Sequence, residues 1–285
     1  MSNHSWNQWK DSAFKWLAFA AAMLGIAFLL VFLFDIFSDG YKRVNWQFLT
    51  SLPSFKAEKS GIKPALFGSI WVFFLTAAIA VPIGIAAGIY LEEYGRKNFL
   101  FSFLEINISN LAGIPSIIYG LLGLEIFVRT LKFGNSILAG SATLALLILP
   151  IIIVATREAL RAVPRSIREA SYGIGATKWQ TIWHQVLPAG MGGILTGIIL
   201  ALSRAIGETA PLIIVGAVAY MRFVPNSPMS EFTVLPMQIF NWASRPQAAF
   251  LENAAAGIIV LIVITFVLNG SAVLLRNYTQ KKVKW

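Results

Sequence analysis

Six long apolar runs restrict the fold of this chain more than any other feature of its sequence. They cover approximately residues 14–37, 66–91, 106–128, 136–156, 189–220 and 254–275. An α-helix needs about 20 apolar residues to cross a hydrocarbon core roughly 30 Å thick. None of the runs alternates polar and apolar residues with the period of two that is typical of a barrel strand. We therefore expect an all-α membrane protein of about six transmembrane helices.

Composition and organisation favour one membrane domain over residues 1–285. Hydrophobic residues make up 57% of the chain and charged residues 13%, a balance that a soluble domain of this length could not bury. The first run is longer than the apolar core of a signal peptide, and its only A-x-A-like stretch lies near its start. We therefore interpret residues 14–37 as an uncleaved anchor helix. The core of the domain should cover about residues 65–276.

The positions of Lys and Arg predict the orientation of the helices. With both termini in the cytoplasm, the inner segments hold more Lys and Arg than the outer ones, chiefly in residues 157–178 and 276–284. The loop at residues 42–63 opposes this arrangement because it places five basic residues outside. We interpret the net charge of +10 as charge that flanks a lipid bilayer rather than as a nucleic-acid-binding surface. We expect a multi-pass protein of the cytoplasmic (inner) membrane with both termini inside.

The sequence also excludes several kinds of chemistry. It contains no cysteine, so it can form neither a disulfide nor a thiolate metal site. His4 and His184 lie far apart, and no cluster of His, Asp and Glu has the spacing of metal ligands. The G-x-x-x-x-G-K-[ST] loop that cradles a nucleotide is absent. We therefore expect no metal, no cofactor and no catalytic residues on this chain.

The stretch between the fourth and fifth runs, residues 165–188, predicts a short helical hairpin outside the membrane. Residues 166–169 and 177–180 each have the form of a capping box, so each should begin a helix. Gly173 and Gly175 should end the first helix, and the proline that closes the stretch should end the second. An interfacial amphipathic connector is the other interpretation that this composition allows. A DNA-binding helix-turn-helix fits less well because membrane runs flank the stretch closely.

The fifth run contains two charges that a bilayer normally excludes. Arg204 and Glu208 lie near its middle, where each charge costs at least about 2.5 to 3.5 kcal/mol on insertion scales, so both must face protein or water. Their spacing of four puts them on one helix face, within reach of each other. In one interpretation, the pair neutralises itself and pins the helix to a neighbour.

In the interpretation that we favour, Arg204 presents a planar donor fork to an oxyanion that passes along the pathway. Glu208 then holds the fork in place or accepts a proton carried by the substrate. We assign the adjacent Thr209 to the same pathway. Glu125, near the end of the third run, is a weaker candidate that we interpret mainly as an interface residue.

A GxxxG element lies in the second run, at Gly84 and Gly88, with Pro82 just before it. The two glycines allow close helix approach, and the proline should kink the same helix. We favour a packing role over a contact at which helices slide.

The hairpin residues resemble a motif of a known family. Glu169-Ala170-Ser171, Gly175 and Leu187-Pro188 resemble the EAA motif of ABC importer permeases, with Ser171 in place of the second alanine and Gln185 in place of an isoleucine. In that family the loop forms a coupling helix that docks in a cleft of the ATPase subunit. The residues to which the resemblance assigns ATPase coupling are Arg168, Glu169, Ala170, Ser171 and Gly175.

Beyond this motif, the chain from about residue 65 to its end resembles one branch of the family, the PstA-type permease subunits of phosphate ABC importers. The segments that carry the resemblance are residues 114–120, 161–178, 204–212 and 235–246. The resemblance implies a type I importer fold of six helices, with this chain forming half of a pathway for inorganic phosphate. It implies as partners a PstC-type second permease, a PstB-type ATPase dimer that holds ATP and Mg²⁺, and an external PstS-type phosphate-binding protein.

Two other classes of protein stay open at the level of sequence. A secondary anion transporter driven by an ion gradient also uses broken helices and charges near the midplane. It would have no use for a cytoplasmic hairpin directed at an ATPase. A membrane-embedded enzyme would need a metal constellation or a nucleophile with its base, and the sequence contains no recognisable set of either kind.

Overall fold

A computed structural model describes residues 2–95 and 98–280 of the chain. The backbone of these residues is helical or irregular and forms no strand, which confirms the all-α class. The α-helices in the described part are Ser2–Gly40 (α1), Trp46–Thr50 (α2), Lys63–Ile89 (α3), Phe99–Leu111 (α4), Ser116–Gly123 (α5), Ile137–Arg161 (α6), Arg165–Gly173 (α7), Lys178–Thr181 (α8), Leu187–Gly207 (α9), Ala210–Val215 (α10), Leu235–Ala243 (α11) and Ala248–Gln280 (α12). Short π-helical segments extend or join some of them: Tyr90–Tyr94 continues α3, Leu124–Thr130 continues α5, and Ile182–Val186 joins α8 to α9.

Five continuous helical stretches of the described residues are long and apolar enough to cross a membrane. They are Lys10–Gly40, Lys63–Tyr94, Ile137–Arg161, Lys178–Gly207 and Ala248–Tyr278. The third predicted run, about residues 106–128, is instead divided between α4 and α5. Pro115 causes the division, since it has no N–H to donate and it disfavours helical geometry at Ile114.

The fifth predicted run, about residues 189–220, is also shorter as a helix than the hydropathy indicates. It ends at Gly207, and the chain turns before α10 begins. Pro211 accounts for the break, because its ring in a continuous helix would meet the carbonyl of Gly207. The segment then ends at Gly216, whose φ of +105° lies in the left-handed region that favours glycine.

α6 is the central helix of the bundle, and small residues bring its neighbours close to it. A Cβ on Gly84 of α3 would lie 2.6 Å from a methyl group of Ile152 in α6, and Gly88 makes an equally close approach one turn later. Gly193 and Gly197 of α9 approach α6 in the same way. This packing confirms that the glycines of the GxxxG element allow close helix approach.

The bundle has two ends, which we call the loop face, at residues 41–62, and the α7 face, at residues 165–175. At the loop face, Arg43 ties residues 41–62 to the start of α12. Its guanidinium donates to Asn253 Oδ1 at 2.7 Å and to the carbonyl oxygens of Ala57 and Ser60 at 3.0 and 2.7 Å. α3 begins beside this loop and ends at the α7 face, where α6 ends as well.

The orientation of these faces in the membrane stays a prediction. Five of the basic residues on which the orientation argument depends lie outside the described residues: Arg96, Lys97, Lys281, Lys282 and Lys284.

Candidate functional site: the α7 face and the end of α9

α7 is a short helix that projects from the end of α6. Pro164 separates the two helices with φ and ψ of −56° and 139° and forms the N-cap of α7 without a side-chain hydrogen bond. The predicted capping box at Ser166 is therefore wrong: α7 begins before Ser166, which lies inside the first turn. Pro164 starts the helix in its place, since its fixed φ already suits the entry.

The elbow after α7 follows the sequence prediction more closely. Gly173 is the last residue of α7, and Gly175 has a φ of +86°, a conformation that side chains with a Cβ rarely adopt. Thr177 and Gln180 form the predicted capping box at the start of α8, with hydrogen bonds of 2.8 and 3.3 Å. The elbow therefore depends on residues that are close in sequence, one glycine and one capping pair.

The predicted end of the second hairpin helix at Pro188 is wrong. The helix that starts at Lys178 continues through the π-helical segment into α9 and ends at Gly207. The π turn widens the helix just before Pro188, where the ring would otherwise meet the carbonyl of His184. Residues 165–188 therefore comprise one short separate helix, a glycine elbow and the first turns of a membrane helix.

The residues assigned to ATPase coupling divide into two groups. Arg168 and Ser171 point inward: Ser171 is buried, and its Oγ lies 2.8 Å from Thr181 Oγ1, which ties α7 to α8. Glu169, Ala170 and Gly175 are exposed.

Residues 165–175, which we call the α7 segment, carry exposed apolar side chains at their tip that sequence reasoning missed. Ile174 is 87% exposed, and Tyr172 is 43% exposed. The signal for Ile174 was its place inside the predicted turn, where an isoleucine has no core to enter. Gln185 is exposed too, so the departure from the motif's isoleucine places an amide at the surface.

Arg168 is held by a partly buried ion pair with Glu93, at the end of the helix that continues α3. Its Nη2 lies 2.7 Å and its Nε 3.2 Å from Glu93 Oε1. The same guanidinium donates to the carbonyl oxygens of Val163 and Leu160 at 2.8 and 2.9 Å. These carbonyls are at the end of α6, where helical hydrogen-bond partners run out, so Arg168 caps α6 as well as binding α3.

A second set of ion pairs joins α3, α4 and α6 beside it. Arg157 is buried and lies 2.7 Å from Glu105 of α4, while Arg161 lies 3.2 Å from Glu92. Sequence reasoning counted the arginines as flanking charge and missed the acidic partners. The signal was the Glu92-Glu93 doublet at the end of the second run, in a chain with only 13 acidic residues.

A cleft of about 520 Å³ opens between the end of α3 and α7. Its lining residues are Glu92, Glu93, Arg161, Val163, Arg165, Arg168, Glu169 and Tyr172. The lining is rich in charges of both signs.

The second part of the candidate site lies where α9 ends. Arg204 Nε is 3.2 Å from Glu208 Oε1, which confirms the predicted contact. Glu208 is no longer helical, with φ and ψ of −77° and 123°, so the contact bridges the break. Within the described residues the other two guanidinium nitrogens of Arg204 have no protein partner. Thr209 follows directly, half-buried, as the residue before α10.

The break also brings together two segments that are distant in sequence. α10 packs on α5 so closely that a Cβ on Gly120 would lie 2.8 Å from Pro211 Cα. Tyr119 of α5 is buried in the same apolar cluster as Ala205, and its hydroxyl donates to Leu111 O at 2.8 Å. The segments 114–120 and 204–212 thus form one structure around Arg204.

Glu125 takes no part in this structure. It pairs with Arg129 at 3.1 Å, and both side chains are exposed. Among the residues that the structure describes, no group of three His, Asp or Glu side chains is arranged to hold a metal ion.

Comparison with known proteins shows the family of the chain. Residues 80–285 match the model of a family described as binding-protein-dependent transport system inner membrane component. The phosphate transport system permease protein PstA of Yersinia pestis is 34% identical over 93% of this chain and 89% of its own length. The probable ABC transporter permease protein YqgI of Bacillus subtilis is 32% identical over 85% of this chain and 87% of its own.

A solved structure shares the fold at low sequence identity. A chain of a bacterial alginate ABC transporter, in complex with a periplasmic protein that carries an alginate pentasaccharide, superposes with a TM-score of 0.66. The match covers 96% of this chain and 97% of that one at 16% identity, so it shows the fold of an ABC importer permease and no more.

Proposed function

The chain belongs to the family of binding-protein-dependent transport system inner membrane components, and we propose that it is the permease subunit of an ATP-driven importer for inorganic phosphate. It is a multi-pass protein of the inner membrane and not a catalytic enzyme. Relatives named as phosphate permeases match most of its length, which favours this function over a secondary transporter driven by an ion gradient.

The observation that carries the proposal is the α7 segment. It projects from the membrane helices, it presents Glu169, Ala170 and Ile174 outward, and it lies beside a charged cleft. A helix of nine residues cannot be stable by itself. One side of it is held by the membrane helices, and the exposed side is available to a partner protein. The contacting molecule is an ATPase of the PstB type, present as a dimer, which binds ATP with Mg²⁺.

This assignment also fixes the proposed orientation. An ATPase that uses cellular ATP is cytoplasmic, so the α7 face is inside and the loop face is outside. The end of α1 lies beside the start of α12 at the loop face, where a Cβ on Gly40 would lie 2.6 Å from Ala255, so the opposite ends of both helices point toward the cytoplasm. The basic loop at residues 41–62 then faces an external phosphate-binding protein of the PstS type.

The pathway lies along α9 and α10, and a second permease of the PstC type forms its other half. Arg204 is 38% exposed in the chain alone, and Glu208 fixes one edge of its guanidinium. A phosphate ion fits the remaining nitrogens, because a planar fork can donate to two oxygens of one tetrahedral anion. Thr209 supplies a hydroxyl next to the pair.

The mechanism follows from how these parts are joined. Closure of the ATPase dimer on ATP moves α7, and the membrane helices rock as rigid bodies between inward-facing and outward-facing arrangements. The ATPase performs the chemistry, while this chain provides the gate, the charged lining and the joint.

The experiment that tests the function is purification of a tagged copy together with whatever it binds, followed by reconstitution into liposomes. We expect a second permease and an ATPase to accompany the chain. ATP hydrolysis by the complex should rise when phosphate and its binding protein are added. A complex whose hydrolysis responds to another solute and not to phosphate would contradict the substrate, and a chain that purifies without an ATPase would contradict the class.

A further inference from the structure

Glu93 holds the α7 segment against the membrane helices on both sides of the elbow. Its carboxylate accepts two hydrogen bonds from Arg168 in the middle of α7. Its backbone carbonyl accepts a hydrogen bond from the ammonium of Lys178, the first residue of α8. Arg168 and Lys178 stand on either side of the elbow, so one residue of the α3 helix anchors the whole projecting segment.

The surroundings of the pair make it stronger than an ordinary surface contact. The Glu93 side chain is 7% exposed, and that of Arg168 is 16% exposed, so water and salt screen their attraction little. By contrast, Arg161 and Glu158 form a pair at 3.2 Å that is exposed on both sides and contributes little. Among the ion pairs of the described residues, Arg168–Glu93 is the one that joins α7 to another helix.

α7 needs such a tie in order to transmit movement. Its two covalent connections are the extended residue Pro164 and the elbow at Gly175, and neither is helical. The Ser171–Thr181 hydrogen bond already links α7 to α8, but a push on α7 that bends these two joints would not reach α3 or α6 without a further contact. The Arg168–Glu93 pair closes the gap between α7 and α3, and the bonds from Arg168 to the end of α6 include that helix in the same unit.

We propose that Glu93 is the positioning residue through which movement of α7 passes to α3 and α6, and that it thereby sets how many phosphate ions are moved per ATP. The inference rests on the proposed function, which supplies the movement.

The main test compares Glu93→Gln with Glu158→Gln in the complete reconstituted transporter. Both replace a carboxylate by an amide at the α7 face, but Glu158 makes only the exposed pair. We expect Glu93→Gln to lower the ratio of phosphate transported to ATP hydrolysed by about fivefold or more. Glu158→Gln should leave the ratio, the basal ATP hydrolysis and the amount of assembled complex near wild type. A wild-type ratio in Glu93→Gln would overturn the proposal.

A conservative variant keeps the test decisive if Glu93→Gln does not assemble. Glu93→Asp retains a carboxylate that Arg168 can reach, so it should recover assembly and more than half of the wild-type ratio. An Asp variant no better than the Gln variant would show that the carboxylate is not what matters and would overturn the proposal.

Hydrogen exchange of the α7 amides separates this inference from the proposed function. Measured on the same complexes without phosphate, exchange at residues 165–173 should be about tenfold faster in Glu93→Gln than in Glu158→Gln, because the freed helix opens more often. This result does not depend on which ion is transported. Absence of phosphate-stimulated hydrolysis in the wild type would defeat the proposed function alone, whereas equal exchange in the two variants would defeat the role of Glu93.

Discussion

Arg204 Nε lies 3.2 Å from Glu208 Oε1 across the point where α9 ends. The contact that a continuous helix would make at a spacing of four survives in a broken one, because the chain turns only after Gly207. The pair lies at the joint between α9 and α10, where the backbone is not helical. Non-helical backbone at membrane depth is tolerated where it is buried in protein or lines a water-filled cavity, which is the environment that a transport pathway provides.

Arg204→Lys should lower phosphate uptake by about tenfold or more. The variant keeps the positive charge and loses the planar fork, so it removes a charge-assisted hydrogen bond that contributes about 1.5 to 3 kcal/mol. Uptake of labelled phosphate into proteoliposomes measures the effect. Arg129→Lys is the matched control, since Arg129 forms only an exposed pair with Glu125, which takes no part in the candidate site. Equal uptake by Arg204→Lys and wild type would refute the oxyanion fork.

Glu169→Arg should weaken ATPase docking without unfolding α7. Glu169 is exposed, and α7 has no side-chain cap, so the glutamate has no part in starting the helix. The amount of ATPase that copurifies with the tagged chain should fall severalfold, while the unfolding temperature stays within the small range typical of surface substitutions. Glu231→Arg, a charge reversal at an exposed residue of the loop face, should copurify normally. Normal copurification of Glu169→Arg would remove this residue from the interface.

Ser171→Ala should destabilise the chain by about 1 to 3 kcal/mol, although alanine is the residue that the family motif has at this position. The substitution leaves the buried Thr181 hydroxyl without its partner at 2.8 Å, and an unpaired buried polar group has a cost of that size. Thermal unfolding in detergent gives the measurement. The double variant Ser171→Ala with Thr181→Val should be less destabilised than the sum of the single variants, and additive effects would contradict the pairing.

Gly84→Val should disturb the packing of α3 on α6 and lower the unfolding temperature or the yield of folded protein. Its side chain would begin 2.6 Å from Ile152, and overpacking of this kind costs about 1 to 3 kcal/mol. Gly25→Val in α1 is the control, because a Cβ there has no atom within 4 Å. Similar behaviour of the two variants would contradict close contact between α3 and α6.

The features that sequence predicts well here are local ones. Helical runs, the cap at Thr177 and the turn at Gly175 depend on neighbouring residues, and the structure has each of them. The helix breaks at Pro115 and Pro211 are local too, but hydropathy averages over them, so the third run appears continuous and the fifth run appears longer than the helix is. At Ser166 two local signals compete, and Pro164 starts the helix first.

The ion pairs could not be predicted in the same way. Arg168 and Glu93 are 75 positions apart, and their contact depends on α3 and α6 ending at the same level. A sequence shows that a basic segment and an acidic doublet exist, but only the packing of the helices decides which charges meet. The contact of α5 with α10 around Pro211 is long-range as well, and it follows from two helix breaks that face each other.

The most direct test of the account is the energy source of uptake in proteoliposomes that contain the purified complex. Phosphate should accumulate only when ATP and the binding protein are both supplied, and hydrolysis should rise with phosphate. An imposed proton or sodium gradient without ATP should give no uptake. Phosphate accumulation that follows the gradient and persists without ATP would contradict the assignment of this chain to an ATP-driven importer.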